Sequence, residues 1–193
     1  MAMERVVTTT ALAAVVTTAL VAMVTTTDVL DISRREADIA IRIDNNPPDT
    51  LVGKRLFPYF QTAYANEDYL ASHDLENAPQ DARLIAWRRF DDRNPPWTKD
   101  LGFGDVPLWG YFPDPAMQVA AAKGGLGIAI LPCVIGDVEP GLVRASLRRP
   151  TKAWDIWLLT HSDLRKTARI KAFMDFVEAV MRDAKKQFQG ELS

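Results

Sequence analysis

The chain has 193 residues, of which 48% are hydrophobic and 25% are charged, and it carries a formal net charge of −2 and a single cysteine. These values are typical of a globular protein with one domain or two small lobes. The slightly negative charge argues against a dedicated nucleic-acid-binding domain, because such domains usually present a basic face. A single cysteine excludes an intrachain disulfide and is typical of a reducing compartment.

The N-terminal stretch from Val6 to Thr27 consists almost entirely of Val, Thr, Ala and Leu. The positive flank of a signal peptide is missing because Glu4 and Arg5 cancel, and the many threonines count against a membrane span. We therefore predict a cytoplasmic protein that does not interact with a membrane.

The first half of the chain predicts short strands and helices. A strand ending in three threonines precedes a helix and a second strand, and Asp28 can cap a short helix after it. Ile39, Ile41 and Ile43 alternate along a further strand. The later elements are two strands or one bent strand over 50–57 and 59–66, a short helix over 66–73, and strands at 83–87 and 106–112.

The second half predicts a capped helix, three strands and a long amphipathic helix. Asp114 is a good N-cap with Pro115 at the first helical position, and Gly124 with Gly125 ends the helix. Strands follow at 126–132, 141–147 and 154–161. The last helix, from Ser162 or Asp163 to about Gln187, has an apolar stripe made of Ile170, Phe173, Met174, Val177, Val180 and Met181. This alternation argues for an α/β fold with largely parallel sheets.

Catalytic and metal-binding patterns are weak. Cys133 could pair with His161 as nucleophile and base, but it follows an apolar strand, and no orienting group is evident. Neither His73 nor His161 has a metal-ligand spacing to Cys133. The glycine-rich segment 123–129 is typical of a helix end and a tight turn rather than of a phosphate loop. We predict no catalytic site, no metal site and no cofactor.

Three consecutive hydroxyls, those of Thr8, Thr9 and Thr10, stand between the first predicted strand and the helix after it. Hydroxyls beside the free N–H groups of a helix N-terminus suit a carboxylate or sulfate. N-capping alone also explains threonines at this position. Both readings stay open on the residues themselves.

Four segments in order carry a family resemblance. They are "DISRREADIAIRI" (31–43), "TLVGKRLFPYFQTAYANEDYLASH" (50–73), "MQVAAAKGGLGIAILPCVIGD" (117–137) and "WDIWLLTHSDLRKTARIKAFMDFV" (154–177). Together they resemble the regulatory domain of LysR-type transcription regulators, over roughly residues 28 to 185. The family's winged helix-turn-helix has no counterpart in these residues, and the family's "F-x-x-x-x-P-x-[IV]-x-[LV]" pattern before the second strand is missing.

The resemblance implies a two-lobed periplasmic-binding-protein-like (type 2) α/β fold with two crossover hinge strands. Lobe I would hold 1–60 and 138–193, and lobe II would hold 61–137. The crossings would lie near 57–64 and 128–132. A small effector would bind in the cleft between the lobes.

By the same resemblance, residues from both lobes would contact the effector: Thr8, Thr9, Thr10, Thr26 and Thr27 from the first lobe, and Tyr111, Phe112 and Asp114 from the second. The effector would be a small carboxylate or another organic anion. The domain would associate with itself as a dimer or tetramer, and promoter DNA would be contacted only through a DNA-binding domain absent from this chain. The alternatives are a solute-binding protein of a transport system and, with less support, a small cytosolic enzyme.

Overall fold

The structure is a computed structural model, and it describes residues 38–47, 49–87, 96–145 and 148–191. The strands are β1 Ile39–Ile43, β2 Leu51–Ala65, β3 Leu84–Ala86, β4 Leu108–Tyr111, β5 Ile128–Pro132, β6 Val143–Arg144 and β7 Thr151–His161. The helices are α1 Glu67–Ser72, α2 Pro96–Asp100, α3 Pro115–Lys123, α4 Cys133–Gly136 and α5 Ala168–Phe188, with a 3-10 turn at Pro79–Asp81. The elements predicted before residue 38 lie outside the described residues.

The described residues fall into two compact units. The first contains the residues up to Phe57 together with Asp155–Asp183, and the second contains Pro58–Trp154 together with the residues from Ala184 onward. The chain passes from one unit to the other within β2, within β7 and near the end of α5. Residues 50–66, predicted as two strands or one bent strand, form the single 15-residue strand β2.

These boundaries differ from the predicted lobes by three residues in β2 and more widely in two other places. The return from the second unit lies between Trp154 and Asp155, in β7, and not at 137/138 or in β5. The physical reason is pairing, because β5 joins β3 on one side and residues 61–64 of β2 on the other, so it stays inside the second unit. In addition, the residues from Ala184 onward group with the second unit rather than the first.

In the first unit, the sheet packs against the amphipathic helix α5. Strand β1 pairs with β7 in antiparallel register, from Ile39 opposite Thr160 to Ile43 opposite Ile156. The predicted stripe of α5 is confirmed at its buried positions, which are Ile170, Phe173 and Val177, while Met174 and Met181 are partly buried. Val180 is 41% exposed, so its place in the stripe was wrong.

Helix α5 also begins later than predicted, at Ala168. The segment 162–167 forms turns, in which the Leu164 N–H donates to the His161 carbonyl and the Thr167 N–H donates to the Leu164 carbonyl. These turns satisfy the backbone without a helix, which is why the hydroxyl and carboxylate at 162 and 163 do not act as its cap.

In the second unit, parallel and antiparallel pairs are combined. Strand β3 pairs with β4 and β5 in parallel, whereas β2 pairs with β5 and β6 in antiparallel register. The expectation of largely parallel sheets was therefore wrong. The parallel pairs described above are those of strands joined through helices α2 and α3, since such crossovers return the chain in the same direction.

Two apolar clusters cover the two faces of this part of the sheet. Leu84, Ile128 and Ile130 belong to one cluster, while Ile85 and Leu131 belong to the other. Alternate residues of β5 therefore enter opposite clusters, and its prediction as a buried strand is confirmed. Within the described ranges, no helix combines the length and hydropathy that crossing a bilayer requires.

Candidate functional site

An exposed aromatic surface of the second unit lies where β4 ends and α3 begins. Because β3, β4 and β5 are parallel, their carboxyl ends lie along one edge of the sheet, which is the edge where open α/β sheets usually bind ligands. Tyr111 ends β4, and Phe112 and Asp114 lie in the connection to α3. We call residues 111–118 the β4–α3 junction.

The backbone of the β4–α3 junction is held on both sides of Phe112. The Phe112 N–H donates to the Ala86 carbonyl at the end of β3, at 2.8 Å. The Gln118 side-chain amide donates to the Phe112 carbonyl, also at 2.8 Å, and Gln118 is only 3% exposed. The connection therefore has a fixed path, which pre-organises the side chains that project from it.

Asp114 is the N-cap of α3, as predicted. Its carboxylate accepts the Ala116 N–H at 2.6 Å, and its carbonyl accepts the Gln118 N–H at 3.1 Å. Pro115 contributes no N–H, so the start of the helix has few free donors. The carboxylate also meets the partial positive charge of the helix end. A second anion at this helix end would therefore be repelled.

The side chains around the β4–α3 junction present apolar area to solvent. Trp109, Tyr111 and Met117 are each about half exposed, at 48%, 49% and 52%. The Arg83 guanidinium lies over the Trp109 ring, 5.1 Å from its centroid, as a cation–π contact. Phe112 is half-buried and packs against the cluster that contains Ile85 and Leu131. This mixture of rigid aromatics and one cation suits an organic ligand with apolar area.

A second group of aromatics lies beyond the end of β3. Trp87 directly follows this strand and meets the Trp154 ring edge-on, with centroids 6.4 Å apart. Trp154 also meets Tyr59 edge-on at 6.3 Å and is 42% exposed. Ala86 is the register partner of Tyr111, so Trp87 follows β3 at the same end of the sheet at which β4 ends.

Sequence reasoning found part of this surface and missed the rest. Tyr111, Phe112 and Asp114 come together as neighbours in the chain, whereas Gln118, Arg83 and Trp87 were not singled out. A glutamine on the inward face of a capped helix was the available signal for Gln118. The five predicted threonines, Thr8, Thr9, Thr10, Thr26 and Thr27, lie outside the described residues.

One polar cluster of the second unit is engaged in internal hydrogen bonds. The Asp137 carboxylate accepts two hydrogen bonds from Arg144, each 2.7 Å, and a third from the Tyr64 hydroxyl at 2.9 Å. Burial and the Asp137 carboxylate raise the pKa of Tyr64, and the same carboxylate raises the pKa of Arg144. Burial raises the pKa of the adjacent Cys133 thiol. These groups satisfy one another and keep their protons, so the cluster has the character of a structural anchor.

The weak Cys133–His161 pairing gains no support. Cys133 is fully buried in the second unit, while His161 ends β7 in the first, where its Nδ1 lies 3.9 Å from the Asp163 carboxylate. Among the described residues, no three His, Cys, Asp or Glu side chains group in a way that could hold a metal ion.

Two compact α/β units linked through long strands are the architecture expected of the periplasmic-binding-protein-like class. The family model described as "LysR substrate binding domain" matches residues 16–182. The chain therefore belongs to the LysR substrate-binding domain family, and the predicted family and fold class are confirmed.

Solved structures with this fold include effector domains of named regulators. The AmpR effector domain of Pseudomonas aeruginosa superposes with a TM-score of 0.61 at 18% identity, covering 81% of this chain and 79% of that one. The AmpR effector-binding domain of Citrobacter freundii gives 0.62 at 15% identity, with 80% and 79% covered. CrgA of Neisseria meningitidis, a LysR-type transcriptional regulator, gives 0.63 at 18% identity, with 82% and 57% covered.

One curated relative is similar in sequence. The chain is 26% identical over 162 residues to the probable HTH-type transcriptional regulator LtrA of Klebsiella pneumoniae. The match covers 77% of this chain and 52% of LtrA, so the chain spans about half of that relative's length.

Proposed function

We propose that this chain is the ligand-sensing domain of a LysR-type DNA-binding regulator, with the β4–α3 junction forming one side of its effector site. The observation that carries the proposal is the contrast at this junction between a fixed backbone and exposed aromatic side chains. Gln118 and Ala86 hold the backbone, while Tyr111 and Met117 stay about half exposed. Family membership supports an effector as the ligand, since ligand sensing is general to the family.

The proposed effector is a small organic carboxylate or similar anion. Its charged end would be bound by Thr8, Thr9 and Thr10, with Thr26 and Thr27 as further hydroxyl contacts. Its apolar part would lie against Tyr111 and Phe112. Because the Asp114 carboxylate already occupies the N-terminus of α3, the end of the effector near α3 would be uncharged.

The wider role of the protein follows from its family. We propose that the domain associates with itself as a dimer or tetramer and acts in the cytoplasm. Promoter DNA would be bound by a DNA-binding domain outside these residues. Effector binding would change the balance between two arrangements of the domain, by no more than its difference in affinity for them.

The two alternatives have less support. A solute-binding protein of a transport system would share the fold, but the sequence relative is a probable transcriptional regulator. A small cytosolic enzyme would need titratable groups free to react. The cluster around Asp137 is engaged in internal hydrogen bonds, and the relatives named above are regulators.

Calorimetric titration of candidate carboxylates tests the proposal. Thr10→Val removes one hydroxyl at nearly constant volume and should weaken binding by about 1.5–3 kcal/mol, as expected for a hydrogen bond to a charged group. Thr50→Val, at an exposed turn, is the matched control and should leave the affinity unchanged. Equal affinity in wild type and Thr10→Val would place the charged end of the effector elsewhere.

A further inference from the structure

The C-terminal end of α5 belongs to a different compact unit from the rest of the helix. Residues 168–183 group with the first unit, whereas the residues from Ala184 onward group with the second. The helix ends in a left-handed turn at Gly190, which has φ +67°, with the Gly190 N–H donating to Gln187 and the Glu191 N–H donating to Lys186. This is a glycine-capped helix end, so its position is well defined.

Arg144 links this helix end by hydrogen bonds to other residues of the second unit. Nη2 of Arg144 donates both to Asp137, at 2.7 Å, and to the Gly190 carbonyl, at 2.8 Å. The Asp137 side chain is only 6% exposed and also accepts hydrogen bonds from Nε of Arg144 and from Tyr64. Arg144 is thereby held rigidly in the second unit, with one donor directed at the end of α5.

The same helix end covers the cysteine of the chain. Cys133 is fully buried, and a Cβ built at Gly190 would lie 2.8 Å from its sulfur, 3.0 Å from Nη2 of Arg144 and 3.1 Å from a side-chain carbon of Pro150. The Gly190 backbone therefore lies directly against the thiol. In contrast, residues 188–190 are only half-buried, so this cover is thin on its solvent side.

We propose that residues 186–191 form a strap that closes over Cys133 and holds the end of α5 on the second unit through the Gly190 carbonyl. The strap opens while both units stay folded, because opening it breaks few contacts compared with unfolding either unit. The chain also passes between the units in β2 and β7, but these are neighbouring strands of the sheet. The strap thus holds the last turn of α5 within the second unit, and its release frees that turn.

The thiol of Cys133 reports directly on the strap, since the sequence contains no other cysteine. We would follow the reaction of the 193-residue chain with Ellman's reagent across low urea concentrations. The wild type is expected to react slowly, at a rate that does not change with urea until global unfolding begins. Gly190→Ala forces a side chain into a left-handed position against the sulfur and should raise this rate about tenfold.

Gly141→Ala is the matched control. Gly141 also lies in the second unit at a left-handed φ of +85°, but a Cβ there would meet only a side-chain atom of Lys123 at 3.7 Å. The Gly141→Ala rate should therefore remain close to that of the wild type. A rate in Gly190→Ala equal to the wild-type rate overturns the proposal. So does an equal acceleration in both variants, or a wild-type rate that follows urea at every concentration.

A second variant keeps the proposal testable if Gly190→Ala does not fold. Arg144→Lys retains a positive charge beside Asp137 but cannot make both the fork and the bond to the Gly190 carbonyl. Because Arg144 also influences the thiol pKa, the readout here is amide hydrogen exchange at Gly190 and Glu191. Faster exchange confined to residues 186–191 supports the strap, and unchanged exchange at these residues refutes it.

Discussion

At two helix ends in the second unit, a side chain hydrogen-bonds a backbone group, but the surroundings of the two ends differ. At the start of α3, Asp114 satisfies a backbone N–H, and the neighbouring side chains Tyr111 and Met117 project into solvent. At the end of α5, Gly190 makes the turn, and its carbonyl is taken up by Arg144. The start of α3 thus has half-exposed aromatic side chains around a fixed backbone. The end of α5 is instead linked through Arg144 to the buried Asp137 carboxylate and lies against the buried Cys133 thiol.

The β4–α3 junction is suited to binding a ligand, whereas the cluster around Asp137 is suited to stabilising the fold. Around Asp137 nearly every donor and acceptor is used within the protein, and such saturated clusters stabilise the fold when they are complete. At the β4–α3 junction the hydrogen bonds hold only the backbone, so the side chains remain available to a ligand. Substitutions should therefore lower stability most at the anchor and should change ligand binding most at the junction.

The largest loss of stability is expected for Arg144→Met. The substitution removes the two hydrogen bonds that the buried Asp137 carboxylate accepts from Arg144 and leaves the one from the Tyr64 hydroxyl. We expect a loss of about 3 kcal/mol, at the low end for a broken buried pair, because Arg144 is 35% exposed. Urea unfolding measures this loss in the free energy of unfolding. Arg148→Met is the control, because Arg148 donates to the backbone carbonyls of Lys99 and Asp100. Similar small losses in both variants would contradict the anchoring role.

Gly136→Ala should have the next largest effect. A Cβ at Gly136 would overlap the ring of Tyr64, which is fully buried and cannot move aside without disturbing Asp137. Overpacking of this kind costs about 2 kcal/mol. Gly110→Ala, where the nearest contact would be the Phe112 ring at 3.4 Å, should stay within about 0.5 kcal/mol of the wild type. Equal melting temperatures of Gly136→Ala and Gly110→Ala would contradict the expected overpacking against Tyr64.

At the β4–α3 junction, Asp114→Ala should cost only about 1 kcal/mol, the usual value of an N-cap. Asp114→Asn keeps an acceptor for the Ala116 N–H and should lie within a few tenths of a kcal/mol of the wild type. Chemical unfolding of both variants distinguishes the cap from the charge. If asparagine is as costly as alanine, the carboxylate acts through its charge at the helix end.

The smallest effect concerns alkaline pH. Burial raises the pKa of Tyr59 and Tyr64 in the folded protein, so their protonated forms stabilise the fold. This contribution is complete below the unfolded pKa, near 10, and is lost as pH rises from there toward the folded pKa. At pH 10 the loss is about 0.4 kcal/mol for each phenol. The melting temperature should fall less steeply between pH 8 and 10.5 in Tyr59→Phe than in the wild type. Equal slopes in the two proteins would contradict a stabilising role of the buried Tyr59 phenol.

Local sequence signals predicted the elements that short-range chemistry determines. Asp114 and Pro115 begin α3, and Gly124 follows its last residue, because capping depends on side chains next to the helix. The apolar run of β5 and the stripe of α5 also indicated burial correctly, apart from Val180.

Features that depend on distant partners could not be predicted in this way. The return between the units lies in β7 rather than β5, and both strands have similar apolar runs in sequence. Only the pairing of β5 with β2 and β3 distinguishes them. The bond from Arg144 to Gly190 likewise joins residues 46 positions apart, and Gln118 gains its role only through the fold.

Amide hydrogen exchange with and without a bound effector tests whether the β4–α3 junction contacts the ligand. A small carboxylate that raises the melting temperature would be selected first, and exchange would then be compared across the chain. The account predicts slower exchange at residues 111–118 in the presence of the ligand, with residues 133–145 unchanged. Protection confined to 133–145, with 111–118 exchanging as in the free protein, would contradict the assignment of the β4–α3 junction to the effector site.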